Sequence, residues 1–159
     1  MTLSSQHMAE EQIIAKNKRA AFEYFLEDHW TAGIQLTGTE IKSIRNHKAR
    51  ITEAYCLIHD GELFVRNMTI DPYENGGHYN HEPRRDRKLL LNAHEIKKLE
   101  KKLKNVGNTC VPTALIINEE GYAKLRIALA TGKKMHDKRD DLKTKDAKRQ
   151  IERGKSERY

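Results

Sequence analysis

The apolar positions of this chain fall into short runs of the kind that form β-strands. Aromatic and alternating apolar residues at 21–27 and 32–36 predict two strands. Two further runs, at 51–58 and 63–67, are joined by Asp60-Gly61, a dipeptide that favours the tight turn of a β-hairpin. The first half of the chain is therefore predicted to be largely a sheet of consecutive strands.

Two segments carry helix signals instead. Thr37 stands three residues before Glu40, which is the spacing of a capping box, and a short helix is predicted from there to about His47. Asn92 and Glu95 give a similar start signal for a second helix. That helix is predicted to pack by one stripe of apolar residues at helical spacing: Ile96, Leu99 and Leu103.

The remaining apolar runs, at 87–91, 110–117 and 122–130, predict three more strands. Residues 71–86, which lie between the runs at 63–67 and 87–91, are polar and rich in proline and glycine. This composition predicts a long loop that becomes ordered on binding. Six or seven strands with two short helices and no alternation of strands with helices give a mainly β fold. We predict an OB-like antiparallel β-barrel.

Composition limits the size of the core and the compartment of the protein. Hydrophobic residues make up 37% of the chain and charged residues 33%, and the mean hydropathy is −0.85. The sequence has no apolar run long enough to span a membrane and no apolar signal segment at its polar start. We expect a cytoplasmic monomer with no membrane partner, in which Cys56 and Cys110 are reduced core residues.

The positive charge is concentrated at the end of the chain. Residues 131–159 contain eleven Lys/Arg and six Asp/Glu, whereas residues 1–130 contain nineteen and seventeen. A local excess of this kind favours a polyanionic partner. We predict a flexible segment at 1–12, the barrel at 13–131 and a basic tail at 132–159 that is disordered when free and helical against RNA. In that helix one face would be basic: Lys145, Arg149 and Arg153.

Motifs of enzyme chemistry are weak in this sequence. It has no nucleophile elbow, no metalloprotease motif and no phosphate-binding glycine loop. His78 and His81 have a spacing that suits a metal but lack a third ligand, and the cluster at 136–141 suits a metal-dependent nuclease only if it is preorganised. We expect no catalytic residue, no metal and no cofactor, and the nuclease stays an alternative that predicts metal-dependent RNA cleavage.

Polar and aromatic residues near the start of the chain are candidates for RNA binding. Asn17, Lys18 and Arg19 precede the first predicted strand, and Tyr24 is either a platform for base stacking or half-buried core. The polar residues of the first predicted helix form either a recognising face or its solvated side: Glu40, Lys42, Ser43 and Arg45.

Several ordered strings along the chain resemble one family. They are Asn17-Lys18-Arg19-Ala20, Ala32-Gly33-Ile34 with Leu36, Gly38-Thr39-Glu40-Ile41-Lys42-Ser43-Ile44-Arg45, Arg87-Lys88-Leu89-Leu90-Leu91-Asn92, Gly132-Lys133-Lys134 and His136-Asp137-Lys138-Arg139. Together, from about Ile13 to Arg153, they resemble the SsrA-binding protein (small protein B) family. Thr31 and Thr131 depart from it, because the family often has an acidic and a basic residue at these positions.

The resemblance implies a binding protein without enzymatic activity. Members of this family bind the tRNA-like domain of tmRNA in place of its missing anticodon arm and enter stalled ribosomes in trans-translation. The implied partners are tmRNA, aminoacylated and with elongation factor Tu, and the decoding centre and mRNA-channel rRNA of the stalled 70S ribosome.

The resemblance also implies two sets of site residues. The positions associated with tmRNA are Asn17, Lys18, Tyr24, Leu90, Asn92 and Lys124, with Glu40, Lys42, Ser43 and Arg45 nearby. The positions that would occupy the empty mRNA path near the decoding site are Gly132, Lys133, Lys134, His136, Asp137, Lys138 and Arg139. A generic single-strand binder of the OB type is the other alternative, and it would need a face of exposed aromatic residues from the ten in the chain.

Overall fold

The computed structural model describes residues 10–133. Within that range it contains nine strands, three α-helices and a short 3₁₀ helix at Gly77–Tyr79. The strands are β1 (Gln12–Lys16), β2 (Tyr24–Ile34), β3 (Ala49–Arg50), β4 (Tyr55–His59), β5 (Glu62–Arg66), β6 (Thr69–Ile70), β7 (Arg87–Leu90), β8 (Asn108–Ile117) and β9 (Ala123–Gly132). The helices are α1 (Lys18–Glu23), α2 (Gly38–Arg45) and α3 (Ala93–Leu103).

Six of the strands form a closed ring of antiparallel neighbours. Their order is β8, β4, β5, β7, β2 and β9, and β9 pairs again with β8. Strand β1 lies beside the second half of β8, on the side where β4 pairs with the first half. Two of the pairings that close the ring are short, because β2 pairs with β7 only at Gly33 and Ile34 and β4 pairs with β8 only at Cys56. The predicted OB-like antiparallel β-barrel is confirmed.

The core fills the barrel and the two places where helices α2 and α3 cover it. Ile44 of α2 and Leu99 of α3 are completely buried and join the apolar side chains of the barrel strands. Each such side chain stabilises the fold by about 1.5–3 kcal/mol. Ile96 and Leu103 pack against the same core, which confirms the apolar stripe predicted for α3.

Local signals placed three elements correctly. The turn between β4 and β5 has positive φ angles at Asp60 (52°) and Gly61 (75°), as a tight hairpin turn requires. In α2 the backbone N–H of Thr37 donates to Oε1 of Glu40 at 2.9 Å. The N–H of Glu95 donates to Oδ1 of Asn92 at 2.9 Å and caps α3.

The first third of the chain differs from the prediction. Residues 21–23 end helix α1 and do not belong to a strand, and β2 is one continuous strand where two were predicted. Asp28 (φ 43°) forms a bulge in β2, where the register against β9 shifts between Glu27 and His29. The polar residues at this bulge had the pattern of a break between two strands.

The loop at 71–86 is held by its own hydrogen bonds. The backbone N–H of Tyr73 donates to Oδ1 of Asn80 at 3.0 Å, and Nδ2 of Asn80 donates back to the Tyr73 carbonyl at 2.7 Å. The ring nitrogens of His81 are hydrogen-bonded to Oγ1 of Thr39 and to the carbonyl of Ile70, each at 2.9 Å. His81 thus has a structural role, and ordering of the loop on binding stays a prediction.

Both cysteines are buried and free, and they face each other across β4 and β8. The hydrogen bond with Cys110, together with burial, raises the pKa of the Cys56 thiol well above its ordinary value. Their predicted place in the core is confirmed. No helix within residues 10–133 is long and apolar enough to cross a membrane.

Candidate nucleic-acid interface

One end of the barrel gathers apolar and basic side chains around Gly33. This residue of β2 pairs with Leu90 of β7 on one side and with Lys124 of β9 on the other. A Cβ atom at Gly33 would lie 3.3 Å from Cβ of Leu90 and 3.6 Å from Nζ of Lys124. The glycine therefore leaves room for these two side chains to meet above it.

A cavity of about 550 Å³ opens at this end. Arg45 of α2 and Tyr122, in the turn before β9, line it together with Leu90 and Lys124. Leu90 is 47% exposed and Tyr122 is 63% exposed. We call these four residues the Lys124 cluster. Apolar and aromatic surface flanked by two cations can hold an unstacked base and its phosphate.

Tyr122 is the functional candidate that the sequence did not reveal. Its backbone is fixed in the turn, because its N–H donates to Oδ1 of Asn118 at 2.9 Å and its carbonyl accepts from the Asn118 N–H at 2.8 Å. A tyrosine placed in a turn two residues before Lys124 was the available signal. It became informative only when the fold brought Leu90 and Arg45 beside it.

The polar residues of α2 separate into a buried and an exposed pair. Glu40 and Ser43 are completely buried or nearly so, whereas Lys42 and Arg45 are exposed. Lys42 lies over the ring of Tyr73 with its Nζ 5.4 Å from the centroid. The side chains of Glu40 and Ser43 are buried and help to position the helix, and a contact of either residue with RNA stays a prediction.

Glu40 forms a buried ion pair with Arg87, and Arg85 joins it at 2.5 Å from Nη2 to Oε1. Arg87 is completely buried and also donates to the carbonyl of Met68 at 2.9 Å. Burial would raise the pKa of Glu40, but hydrogen bonds from Arg85, from the Thr37 backbone and from Arg87 outweigh it and hold this pKa below its ordinary value. The pair ties α2 to the segment that leads into β7.

A second group of candidate residues lies along helix α1, which runs from Asn17 beside the middle of β8 to Tyr24 at the opposite end of the barrel. Asn17 is itself buried: its Oδ1 accepts from the Ala20 N–H at 3.2 Å and caps α1, and its Nδ2 donates to the Pro112 carbonyl at 2.9 Å. Lys18 is exposed, and Arg19 is paired with Glu23 at 2.7 Å. We call Asn17, Lys18, Arg19 and Tyr24 the Asn17 cluster.

Tyr24 is half-buried and packs against a small apolar cluster of Ala20, Val111 and Ala130. Its structural and functional interpretations are therefore compatible, since part of the ring also lines a cavity of about 340 Å³ with Arg19.

The two clusters are far apart. Tyr24 begins β2 and Gly33 stands nine residues further along the same strand. At about 3.3 Å per residue the distance between them is roughly 30 Å. The residues that the resemblance associates with tmRNA are thus divided between the Lys124 cluster and the Asn17 cluster, with Asn92 on the Lys124 side, where it caps α3.

Only the first two predicted tail residues fall within the described part of the chain. Gly132 ends β9 opposite Tyr24, and the N–H of Lys133 donates to the Glu23 carbonyl at 2.9 Å. Nζ of Lys133 also donates to the Ala21 carbonyl at 3.1 Å. These two residues are hydrogen-bonded to the start of β2 and to α1, and the division of the chain at 131 stays a prediction. The other predicted tail residues are outside the described residues: Lys134, His136, Asp137, Lys138, Arg139, Lys145, Arg149 and Arg153.

The histidines and carboxylates of residues 10–133 form no group of three that could hold a metal ion. His78 lies exposed in the 3₁₀ helix and His81 is engaged with Thr39 and Ile70. The acidic and basic cluster at 136–141, on which the nuclease alternative depends, lies outside the described residues.

Comparison with known proteins gives a single family. The model of the SmpB protein family matches residues 14–157. The SsrA-binding protein of Phocaeicola vulgatus is 56% identical over 138 residues, which are 87% of this chain and 92% of the relative. That of Moorella thermoacetica is 45% identical over 147 residues, 92% of this chain and 95% of the relative.

Solved structures agree with the sequence comparison. A chain in a structure described by the words "tmRNA-SmpB" and "the bacterial ribosome" has a TM-score of 0.65 and 42% sequence identity, and the match covers 80% of this chain and 92% of that one. The family match extends across most of the barrel and beyond it to residue 157. This chain belongs to the SsrA-binding protein (SmpB) family.

Proposed function

We propose that this protein binds the tRNA-like domain of tmRNA and delivers it to stalled ribosomes for trans-translation. The observation that carries the proposal is the Lys124 cluster, set on a closed barrel in a chain that is 56% identical to an SsrA-binding protein. The protein acts by binding, in the cytoplasm, without a catalytic step. Its partners are tmRNA, aminoacylated and with elongation factor Tu, and the stalled 70S ribosome.

The Lys124 cluster supports recognition of folded RNA. Proteins read RNA where bases are unstacked, by stacking them on aromatic side chains, and hold the backbone with cations. Tyr122 and Leu90 offer exposed planar and apolar surface, and Lys124 and Arg45 offer charge within the same cavity. Glu40 and Arg87 support this surface from inside by fixing α2, which carries Arg45.

The Asn17 cluster reaches, at Tyr24, the end of the barrel where β9 terminates. Lys18 and Arg19 are both exposed, and Arg19 is engaged with Glu23, so Lys18 is the cation of this cluster that forms no ion pair within residues 10–133. The tail beyond Lys133 starts from this end. We propose that the tail, with its ten Lys/Arg and six Asp/Glu after residue 133, lies in the empty mRNA channel near the decoding centre. Intact mRNA would exclude it sterically.

Replacing Tyr122 with alanine tests the Lys124 cluster. Loss of one stacked base is expected to cost about 1–3 kcal/mol of binding free energy, which raises Kd for the tRNA-like domain roughly 5- to 150-fold. Tyr79→Ala is the matched control, because Tyr79 is 91% exposed on the loop at the 3₁₀ helix and lies outside the cluster. A direct binding titration compares the two variants. If Tyr122→Ala and Tyr79→Ala changed Kd equally, the Lys124 cluster would not be part of the binding site.

A further inference from the structure

Helix α3 carries more positive charge than its packing needs. Its apolar stripe faces the core through Leu99, while five lysines and two glutamates occupy residues 93–104. The basic residues are Lys97, Lys98, Lys101, Lys102 and Lys104. The rest of the chain up to residue 130 contains fourteen basic and fifteen acidic residues, from totals of nineteen and seventeen. The helix thus holds the entire positive excess of the barrel.

Three of these lysines form one exposed row. Lys97, Lys101 and Lys104 are exposed, and their spacing of four and three residues places them on one face over about 10 Å of helix. Within residues 10–133 none of the three forms an ion pair, whereas Lys102 pairs with Asp28. We call Lys97, Lys101 and Lys104 the lysine stripe.

Two lysines of the stripe, Lys97 and Lys101, repel each other along the helix, although the helix dipole favours cations in its last turn. Like charges four residues apart on a helix destabilise it by about 0.2–0.5 kcal/mol per pair. Lys97 and Lys101 have this spacing, and so do Lys98 and Lys102. Glu100 stands four residues before Lys104, the best arrangement for an ion pair, yet the two do not form one in the described part of the chain. A polyanion bound along the helix would relieve this repulsion.

The position of α3 connects the stripe to the Lys124 cluster. The helix begins at Ala93, its N-cap is Asn92, and strand β7 ends at Leu90, three residues before the helix starts. Its last turn lies beside Asp28, midway along β2, through Lys102. The stripe therefore runs from the cluster along the barrel toward its other end.

We propose that the lysine stripe binds the phosphodiester backbone of the tRNA-like domain of tmRNA and extends the surface of the Lys124 cluster. This inference rests on the proposed function. Lysine contacts to phosphates position an RNA without reading its sequence, and each contact releases counterions. The stripe gives this protein two or three backbone contacts beyond the cluster.

The test measures binding of the full chain to the tRNA-like domain at several salt concentrations. The stripe variant carries Lys97→Gln, Lys101→Gln and Lys104→Gln. The control variant carries Lys16→Gln, Lys48→Gln and Arg84→Gln, three exposed cations on other surfaces, so both variants lose the same charge. Relative to the control, the stripe variant is expected to raise Kd about 10- to 100-fold and to lower the slope of log K against log salt by about 2–3.

The outcomes separate this inference from the proposed function. If the stripe variant matches the control while the wild-type chain still prefers the tRNA-like domain over a single-stranded RNA, the stripe inference is wrong and the proposed function stands. If the stripe variant binds the tRNA-like domain like the control but loses peptide tagging on ribosomes, the stripe serves ribosomal RNA, and the inference is again wrong. A wild-type chain without preference between the two RNAs would overturn both.

Discussion

A chain that ends at Lys133 is expected to bind the tRNA-like domain nearly as tightly as the full chain and to support no peptide tagging. The barrel is complete at this point, because β9 pairs with β2 up to Gly132 and the N–H of Lys133 donates to Glu23. The removed tail carries ten Lys/Arg and six Asp/Glu. The proposal assigns this tail to the mRNA channel, so its loss affects the step on the ribosome alone.

Two measurements check this division of labour. A binding titration gives Kd for both chains, and a reconstituted translation reaction on a message without a stop codon gives the amount of tagged peptide. A chain that ends at Ala130 shows the effect of cutting into the barrel itself. It lacks Thr131, whose hydroxyl donates to Asn108 at 3.0 Å, and Gly132, the strand partner of Tyr24. Tagging by the chain that ends at Lys133, or a loss of its RNA affinity in proportion to charge, would contradict the account.

The second large effect is expected at Arg87. Replacing it with alanine leaves the buried carboxylate of Glu40 without its closest partner, and breaking one half of a buried ion pair costs about 3–5 kcal/mol in the free energy of unfolding. Arg66→Ala is the matched control: Arg66 is an exposed arginine that pairs with Asp86 at 3.0 Å, and exposed pairs contribute about 0–1 kcal/mol. Denaturant unfolding of both variants measures the difference. Equal losses would show that the network around Glu40 does not hold α2.

The same network predicts a pH dependence. The pKa of Glu40 is lowered in the folded state, so the unfolded state takes up the proton first as the pH falls. The stability from Glu40 is therefore complete above its unfolded pKa, near 4.5, and is lost as the pH falls through the lower folded value. The Arg87→Ala variant should lose the part of this contribution that comes from Arg87, while Arg85 and the Thr37 backbone keep the rest, so its unfolding free energy should fall less steeply below pH 4.5 than that of the wild type.

Elements with local signals could be predicted from the sequence. The hairpin between β4 and β5 depends on two adjacent turn residues, and helices α2 and α3 each begin at a polar cap whose partner stands three residues away. The alternation of apolar and polar residues in the strands and the apolar stripe of α3 could be recognised without knowledge of distant contacts. The family resemblance added the assignment to tmRNA, which no single pattern contained.

Strand β1 and helix α1 were missed for physical reasons. β1 pairs with β8 at the far end of the chain, and Ile13 remains 44% exposed, so its five residues show no buried alternation. α1 has six residues, too few for helical periodicity, and its Phe22 and the following Tyr24 favour a strand by propensity. Asn17, which caps this helix, was the available signal for its start.

The candidate site required the fold. Leu90 and Lys124 are thirty-four residues apart and meet only because both strands flank Gly33 of β2. Glu40 and Arg87 are forty-seven residues apart, and no local pattern shows that both are buried. For the same reason the sequence could not show that Asn17 contacts the middle of β8 whereas Leu90 pairs with Gly33 of β2. These placements depend on contacts between distant parts of the chain, which form only when the sheet closes.

The most direct test of the account is a titration of the full chain against the tRNA-like domain of tmRNA and a single-stranded RNA competitor of equal length, at several salt concentrations. We predict tight binding to the folded RNA that persists at moderate salt and clear preference over the competitor, because the barrel recognises shape and unstacked bases. Equal affinity for both RNAs with a steep salt dependence would contradict it and leave only a nonspecific basic protein.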